Sequence, residues 1–377
     1  MKKFYFGMLC LFLAGATTAI AQDNVTIEGT VSGDLKGYNK VYVYGNSIGR
    51  DSTLIQNGRF EFKVPFKKPM VIQFYCEYEA KLSRSLSPVA IFVDQPGVVS
   101  YNVADMGKGF HTGKSSGMKS VVDLAQHNQR VSQASKAIQA ELAKKYGDTI
   151  SPKSQRYNAY LTEYYALSNA KSNKLMVDFI KANPDAMASS LLLTGGMSSM
   201  SPKELEQNYK LLSKRVAASE FGMMISDFLA GTKRSEVGQT VSDFSLNDPT
   251  DKPFAFSQLQ GKYVMIDFWA SWCGPCKASF PHMKELYEKY KGDKFEIYSI
   301  SVDQSKPDWL TELKRQDLPW LHALDTKKLA KSNFGVNGVP TVFLIDPNGK
   351  ILLKAVGLDP KGDGPVEKKL TEIFGPK

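Results

Sequence analysis

Hydrophobic and polar positions alternate in short runs over residues 24–104. Six runs carry β-branched or aromatic residues at alternating positions and end in turn residues: NVTIEGTVSG, KVYVYGN, GRFEFKV, MVIQFYCEY, VAIFVDQ and VVSYNV. This period is typical of strands with one buried face, and Asn57-Gly58 is a hairpin signal. The pattern predicts a small antiparallel β-sandwich over 22–111. Cys76 shares a face with apolar residues of its run, which predicts a buried core residue rather than a regulatory thiol.

The period of the apolar positions becomes helical between Ser115 and Leu229. One long run ends at Gly147, a second covers about 152–181 before Asn183-Pro184, and shorter runs follow. The pattern predicts a segment of four or five helices over 112–230. The polar stretch GTKRSEVGQT, 231–240, contains two glycines and predicts a linker.

Buried strands alternate with helices in the last part of the chain, 241–377. KYVMIDFWA and KFEIYSISV are typical of buried strands, and DWLTELKRQ and KKLAKSNFG are typical of helices. TVFLIDPNGKILLKAVG predicts a hairpin, and a terminal helix is expected over about 365–374. These elements predict an α/β layer fold. The fold class is therefore multi-domain: an antiparallel β-sandwich-like domain, an α-helical middle segment and a C-terminal α/β domain.

The first 21 residues have the pattern of a targeting segment. Lys2 and Lys3 precede an apolar stretch, Phe4–Ala16, and Ala19-Ile20-Ala21 is a small-x-small cleavage site before Gln22. This arrangement predicts a cleaved signal peptide over 1–21, with an uncleaved anchor as the alternative. Export predicts an extracytoplasmic, periplasmic location, where disulfides persist.

The formal net charge of +10 is concentrated in the middle of the chain. Residues 112–235 contain 17 Lys and Arg but 10 Asp and Glu. The basic residues are scattered singly along the predicted helices, which is typical of a solvated helical surface. Anionic lipid or an acidic partner is the alternative, and the pattern argues against nucleic acid as a partner.

Three cysteines remain after cleavage: Cys76, Cys273 and Cys276. One close pair and one odd thiol do not fit a disulfide-stapled scaffold. A structural zinc site needs four ligands, and the four histidines have no paired ligand spacing. No metal or other cofactor is therefore predicted. The stretch Cys273-Gly274-Pro275-Cys276 falls between a buried strand and a helix, which favours a redox-active dithiol.

The two cysteines are expected to have different roles. Cys273 falls at the start of the helix, where free backbone N–H groups and the helix dipole favour an anion. Its thiolate would be the attacking nucleophile. Cys276, one turn further on, is within reach of Cys273 and would resolve the mixed disulfide.

Three features beyond the pair agree with a redox site. Asp267 lies in the buried strand six residues before Cys273, where burial would raise its pKa and allow it to take the proton from Cys276. The alternative is a strand residue that reaches the surface. Pro281 would kink the helix. Pro340 starts a strand after Val339, and a cis proline there would leave the preceding backbone free to pair with an extended substrate.

Together, DFWASWCGPCK, Pro281 and GVPTVFLIDPNGK resemble a thioredoxin domain over roughly 236–377. The opening VSDFSLNDPTDKPFAFSQLQGKYVMIDFW and the insertion SVDQSKPDWLTELKRQDLPW resemble the extracytoplasmic TlpA/ResA-like branch. The order of the three regions is similar to a recurring secreted type, in which a small β-domain and a helical segment precede the thioredoxin domain. That resemblance implies no defined chemistry for residues 22–230.

The resemblance implies a thiol–disulfide oxidoreductase. Cys273 would attack, Cys276 would resolve, and Pro340 would be the cis proline. The expected substrate-binding positions are Trp272, Gly274, Pro275, Val339 and Pro340. Trp269 is expected in the core, and Trp320 either in the core or at the rim of a substrate groove.

Two departures from the branch affect the expected proton route. TlpA/ResA-like proteins often carry Asn at the position of Asp267 and Glu at that of Ser279. The pair Asp267 and Ser279 is instead similar to cytosolic thioredoxins, but Ser299 stands where those have Lys. Without a cation to favour its ionised form, Asp267 is expected to be protonated more often.

Gly274-Pro275 is similar to the dipeptide of reducing thioredoxins, which favours a reductant of protein disulfides. A disulfide isomerase or oxidase is one alternative, with 22–230 as a module for a homodimer. An envelope-binding module with an accessory thioredoxin domain is another. A peroxidase is discounted, because the residues before Cys273 lack the Pro that peroxiredoxins need. The chain has no flavin or nicotinamide fingerprint, so a separate, membrane-bound thiol donor is expected to supply electrons.

Overall fold

The computed structural model describes residues 24–45, 48–82, 87–147, 150–151, 153–357 and 364–375. The predicted signal peptide, 1–21, lies outside the described residues. The chain forms two compact units that divide between Asn128 and Gln129. This division falls inside a helix, beyond the limit at residue 111 that the sequence predicts for the β-domain. The domain limits given above remain predictions.

The first unit contains two four-stranded sheets over the described residues. The strands are β1 (Asn24–Val31), β2 (Lys40–Gly45), β3 (Gly49–Leu54), β4 (Arg59–Pro65), β5 (Met70–Cys76), β6 (Val89–Val93), β7 (Gly97–Val103) and β8 (Lys114–Gly117), with a short helix α1 (Glu77–Leu82). One sheet has the order β4-β1-β7-β8 and the other β3-β2-β5-β6. Alternate residues from both sheets share one apolar core, for example Ile27 and Phe62 from the first and Val43 and Phe74 from the second. This is the expected sandwich.

The sandwich differs from the prediction in one strand pairing. β1 runs parallel to β7, with Val25 opposite Gly97 and Val31 opposite Val103, whereas the sequence predicts antiparallel pairing throughout. Parallel neighbours need a long connection, and here the intervening strands of the second sheet supply it. Cys76 is fully buried and unpaired, as expected, and burial raises the pKa of its thiol to about 11.

The middle of the chain contains six helices over the described residues, where four or five were expected. They are α2 (Lys119–Tyr146), α3 (Tyr157–Ala182), α4 (Met187–Ser199), α5 (Pro202–Tyr209), α6 (Lys214–Ala217) and α7 (Glu220–Arg234). α3 returns along the end of α2, where Ser135 and Tyr164 share a hydrogen bond of 2.7 Å. The later helices bury one apolar cluster that includes Ile180, Leu193 and Ile225.

The rest of the second unit has the predicted α/β layers. Its elements are β9 (Ser245–Asn247), β10 (Pro253–Ala255), β11 (Tyr263–Trp269), α8 (Gly274–Tyr290), β12 (Phe295–Ser301), α9 (Lys306–Gln316), β13 (Leu321–Leu324), α10 (Leu329–Ser332), β14 (Thr341–Ile345), β15 (Ile351–Val356) and α11 (Pro365–Phe374). A five-stranded sheet has the order β13-β12-β11-β14-β15. β11, β12 and β13 are parallel, and β14 and β15 are antiparallel to their neighbours. Apolar clusters cover both faces of this sheet. Within the described chain, no helix has the length and hydropathy of a bilayer span.

Residues 231–240, which the sequence predicts as a linker, make hydrogen bonds to neighbouring parts of the second unit. α7 continues to Arg234, and the Ser235 side chain is buried, donating a hydrogen bond to the Phe334 carbonyl oxygen at 2.6 Å. Further on, Gly238 N–H donates to the Ile351 carbonyl, and Ile351 N–H donates to the Gln239 carbonyl, each at 2.8 Å. Backbone hydrogen bonds to β15 therefore hold this segment, although its side chains are polar.

Candidate active site

The two cysteines of the CGPC stretch lie where β11 passes into α8. Cys273 is the N-cap of α8 and forms a disulfide with Cys276, so the structure has the pair in its oxidised state. The backbone N–H of Cys276 donates a hydrogen bond to Cys273 Sγ at 3.1 Å. A donor in this place, together with the positive end of the helix dipole, stabilises a thiolate on Cys273 after reduction.

Exposure differs sharply along this stretch. Cys276 is 1% exposed and Cys273 4%, whereas the neighbouring Trp272 is 68% exposed. A Cβ atom added at Gly274 would meet no atom within 4 Å, so this position faces open space. Pro275 lies in the first turn, where a backbone N–H would have no partner within the helix. Trp272, Gly274 and Pro275 thus form an open surface beside the disulfide.

The loop before β14 approaches the disulfide from the other side. The Val339–Pro340 peptide bond is cis, and the Val339 carbonyl oxygen lies 3.6 Å from Cys273 Sγ. Thr341 Oγ1 donates to the Gly338 carbonyl oxygen at 2.7 Å, which holds the turn. The structure therefore brings the expected substrate-binding residues Val339 and Pro340 to the predicted nucleophile.

Asp267 lies in the middle of β11 and is 2% exposed, so it does not reach the surface. In the sheet it is opposite Ser299 of β12 and Val342 of β14. Successive strand residues point to opposite faces, so Asp267 shares a face with Met265 and Trp269. Both of these residues belong to the apolar cluster that contains Cys276. The carboxyl group is therefore on the side of the sheet that α8 covers.

Burial raises the pKa of Asp267 to about 7, because an ionised carboxylate is poorly solvated inside the protein. The hydrogen bond from Ser299 Oγ to Asp267 Oδ2, 3.0 Å long, opposes this shift in part. A carboxyl group with a pKa near neutral pH can both accept and release a proton under ordinary conditions. Ser299 is a neutral donor at the position where the sequence comparison with cytosolic thioredoxins places a cation.

The structure decides between the two alternatives for Trp320. The side chain is 6% exposed and belongs to the core cluster beneath α8, so it does not form a groove rim. Its indole Nε1–H donates to Ser299 Oγ at 2.8 Å. Trp269 is fully buried, as expected.

Ser279 and Pro281 are two further positions on α8 that the sequence singles out. Ser279 is buried, and its hydroxyl donates to the Cys276 carbonyl oxygen at 2.8 Å. No acid is present at this position, where TlpA/ResA-like proteins often have Glu. Pro281 lies inside the helix, and the kink expected there stays a prediction.

A second buried acidic side chain, that of Asp303, lies near the disulfide and was not predicted from the sequence. Asp303 accepts hydrogen bonds from Ser271 N–H at 2.8 Å, Ser271 Oγ at 2.7 Å and Ser301 Oγ at 2.6 Å. Lys277 Nζ donates to the Ser271 carbonyl oxygen at 2.9 Å. These bonds fix the turn that leads into Cys273. A signal was present, because Asp303 follows the carboxyl end of a parallel strand, where ligand-binding and catalytic groups collect.

Comparison with known proteins gives consistent matches to this part of the chain. The AhpC/TSA family matches residues 237–354. Thiol-disulfide oxidoreductase ResA from a strain of Bacillus cereus is 33% identical over 130 residues, which are 34% of this chain and 75% of the relative. Thiol-disulfide oxidoreductase ResA from Bacillus subtilis (strain 168) is 34% identical over 128 residues, which are 34% of this chain and 72% of the relative.

Among solved structures, a thiol-disulfide oxidoreductase from Bacteroides fragilis NCTC 9343 is 27% identical and covers 36% of this chain and all of its own, with a TM-score of 0.33. That score is low, and the assignment rests on the ResA relatives and the AhpC/TSA match. Both concern the C-terminal third of the chain. Through this thioredoxin-like domain, the chain belongs to the ResA family of thiol-disulfide oxidoreductases.

Proposed function

We propose that the protein is an extracytoplasmic reductant of protein disulfides that works through the Cys273–Cys276 pair. The observation that carries the proposal is the environment of Cys273 Sγ. This atom accepts a backbone N–H at a helix N-terminus and lies 3.6 Å from the Val339 carbonyl oxygen. The sulfur that is stabilised as a thiolate is thus also the sulfur beside the surface that an extended peptide would meet.

The first step transfers a bond between sulfurs. The Cys273 thiolate of the reduced enzyme attacks one sulfur of a substrate disulfide, forming a mixed disulfide. The second substrate sulfur leaves as a thiolate and takes a proton. Trp272, Gly274 and Pro275 would contact the substrate on one side of the sulfurs, and Val339 and Pro340 on the other.

The second step releases the substrate. Cys276 gives its proton to Asp267 and attacks Cys273 Sγ, which restores the Cys273–Cys276 disulfide. The substrate leaves as a dithiol with two electrons from the enzyme, which ends in the oxidised state. The raised pKa of Asp267, about 7, supports this role because the carboxylate is a strong enough base near neutral pH.

The direction of electron flow follows from the residues between the cysteines. Gly274-Pro275 is similar to the dipeptide of reducing thioredoxins, so we expect the disulfide form to be the stable one. A separate thiol donor, expected in the membrane, would return two electrons to the pair. The predicted signal peptide supports a location outside the cytoplasm.

The reduction potential of the pair tests the direction. The full chain without residues 1–21 is equilibrated with glutathione redox mixtures, quenched by thiol alkylation and analysed by mass. We expect a potential near thioredoxin's value of about −270 mV. A value near about −120 mV, typical of a strong oxidant, would contradict the reductant role. Cys273→Ser is the control, because it removes the pair and must abolish the transition.

A further inference from the structure

We infer that Trp320 is a positioning residue for disulfide exchange, which acts through Ser299 to hold Asp267 as the acceptor of the Cys276 proton. This inference rests on the proposed function, in which Asp267 takes that proton. Three buried side chains carry it: Trp320, Ser299 and Asp267, which are 6%, 0% and 2% exposed. They form one continuous chain of hydrogen bonds across neighbouring parts of the sheet.

The polarity of this chain is fixed by which atoms have protons. Indole has a donor and no acceptor, so Trp320 Nε1–H must use a lone pair of Ser299 Oγ, at 2.8 Å. The single hydroxyl proton of Ser299 is then directed to Asp267 Oδ2, at 3.0 Å. Two donors in series therefore end on the carboxylate.

Such an arrangement favours the ionised carboxylate. A hydroxyl that accepts a hydrogen bond becomes a better donor, because hydrogen bonds in a chain polarise one another. Trp320 thus strengthens the one hydrogen bond that lowers the pKa of Asp267 against the effect of burial. The polarised Ser299 hydroxyl therefore favours the ionised form of Asp267, as a neighbouring cation would. It does so without placing a second charge in the core.

The indole ring is itself held in place. Trp320 packs edge-on against Tyr287 of α8, with ring centroids 5.6 Å apart, and lies 6.0 Å from the His322 ring. These two ring contacts and the burial of the side chain restrict rotation of the indole N–H away from Ser299.

Few other groups near Asp267 change charge near neutral pH. From the elements packed on its face, the titratable groups are Cys273 at the N-cap of α8, Cys276, Tyr287 and Tyr290 of α8, and His322 of β13, which is opposite Ser299. Burial lowers the pKa of His322 to about 4 and raises that of Tyr287 to about 12. His322 and Tyr287 are therefore expected to keep one charge state between pH 5 and pH 10.

The resolving step can be measured with 5,5′-dithiobis(2-nitrobenzoate) in a stopped-flow instrument. The reduced protein releases one thionitrobenzoate when Cys273 attacks and a second when Cys276 displaces it from the mixed disulfide. The rate of the second release is measured from pH 5 to pH 10. Ser299→Ala should raise the pH midpoint by about one unit, since it removes a hydrogen bond to a charged group. Trp320→Phe should raise it by about half a unit.

Trp309→Phe is the matched control. Trp309 is fully buried in the same apolar cluster, but its Nε1 has no hydrogen-bond partner among the described residues. The two Trp→Phe changes remove similar volumes, and only the change at residue 320 removes a hydrogen bond. We expect the pH midpoint of Trp309→Phe to equal that of the unmodified protein.

Asp267→Asn separates failure of the inference from failure of the proposed function. Equal midpoints for Trp320→Phe and Trp309→Phe, with the midpoint lost in Asp267→Asn, would overturn the inference and leave the proposed function standing. A midpoint that persists in Asp267→Asn would overturn the role of Asp267 and the inference with it. The 13C shift of the Asp267 carboxyl carbon against pH, in oxidised protein, gives the same comparison without turnover.

Discussion

At the scale of single residues, the buried carboxyl group of Asp267 has the most unusual environment among the groups proposed to react. Its strand neighbours are apolar, and its one hydrogen bond among the described contacts comes from the neutral Ser299 hydroxyl. A carboxyl group in such surroundings keeps its proton to a much higher pH than in water. The raised pKa on which the proposed proton transfer depends also means that the ionised form of Asp267 destabilises the fold.

The free energy of unfolding should therefore fall as the pH rises and Asp267 becomes ionised. The pKa of Asp267 is about 7 in the folded protein and about 3.9 in an unfolded chain. A group whose pKa is raised by folding contributes most below its unfolded pKa, and that contribution is lost as the pH rises through the folded pKa. From pH 5 to pH 8, oxidised Asp267→Asn should therefore gain about 2–3 kcal/mol in unfolding free energy relative to the unmodified protein.

Urea unfolding of both proteins at several pH values checks this, because other titrating groups cancel in the difference. Curves that stay parallel over the whole range would show that the Asp267 pKa is not raised.

Asp267→Asn should also slow the resolving step by about 10²-fold at pH 8, as removal of a general base does.

The residues proposed to react could be singled out from the sequence, whereas the residues that hold them in place could not. The sequence could indicate Cys273, Cys276 and Asp267 because all three residues lie within one strand–turn–helix segment. Trp320 and Asp303 are distant in sequence and meet the site only through the order of strands in the sheet. A hydrogen bond such as that from Trp320 to Ser299 has no local signal, so the pattern left Trp320 undecided between core and surface.

At the scale of elements, the end of α7 packs closely on α10 and holds the first part of the predicted linker, 231–240, in place. A Cβ atom at Gly231 would lie 2.2 Å from the Lys331 carbonyl oxygen, which allows no side chain. Arg234 donates to the Ser332 carbonyl oxygen, and Ser235 to that of Phe334. The last helix of the helical segment therefore packs against the chain that leads to Val339 and Pro340.

A pair of glycine substitutions tests this packing. Gly231→Ala should destabilise the protein by about 1–3 kcal/mol, since α7 must move away from backbone atoms. Gly195→Ala is the control, because Gly195 lies inside helix α4 and an added Cβ would meet no atom within 4 Å. Ala is the better helix former, so Gly195→Ala should be neutral or stabilising by up to about 1 kcal/mol. Equal effects of the two changes in thermal unfolding would argue against the close approach.

Two of the strands that the sequence missed, β3 and β8 of the first unit, share a physical cause. β3 and β8 lie at sheet edges, and their sequences GRDSTL and KSSG have no apolar alternation. Edge strands are stabilised by backbone pairing with a single neighbour and often carry polar or charged residues. Hydrophobic periodicity detects buried faces, and it therefore found the central strands and missed these two.

At the scale of the whole molecule, the chain joins a redox domain to more than 200 preceding residues of other structure. The family assignment concerns the C-terminal third, and the roles of the sandwich and the helical segment stay predictions. Among these are a homodimer through 22–230 and a solvated basic surface over 112–235. In the described part of the first unit, the thiol of Cys76 is buried and has a pKa of about 11, so it is not expected to react near neutral pH.

In the proposed function, Cys273 attacks protein disulfides and Cys276 resolves the mixed disulfides. The most direct measurement is trapping of mixed disulfides by Cys276→Ser in cells, compared with Cys273→Ser. We predict that Cys276→Ser accumulates reducible adducts with protein substrates through Cys273 and that Cys273→Ser accumulates none. Equal trapping by the two variants, or trapping by Cys273→Ser alone, would contradict the assignment of the two sulfurs.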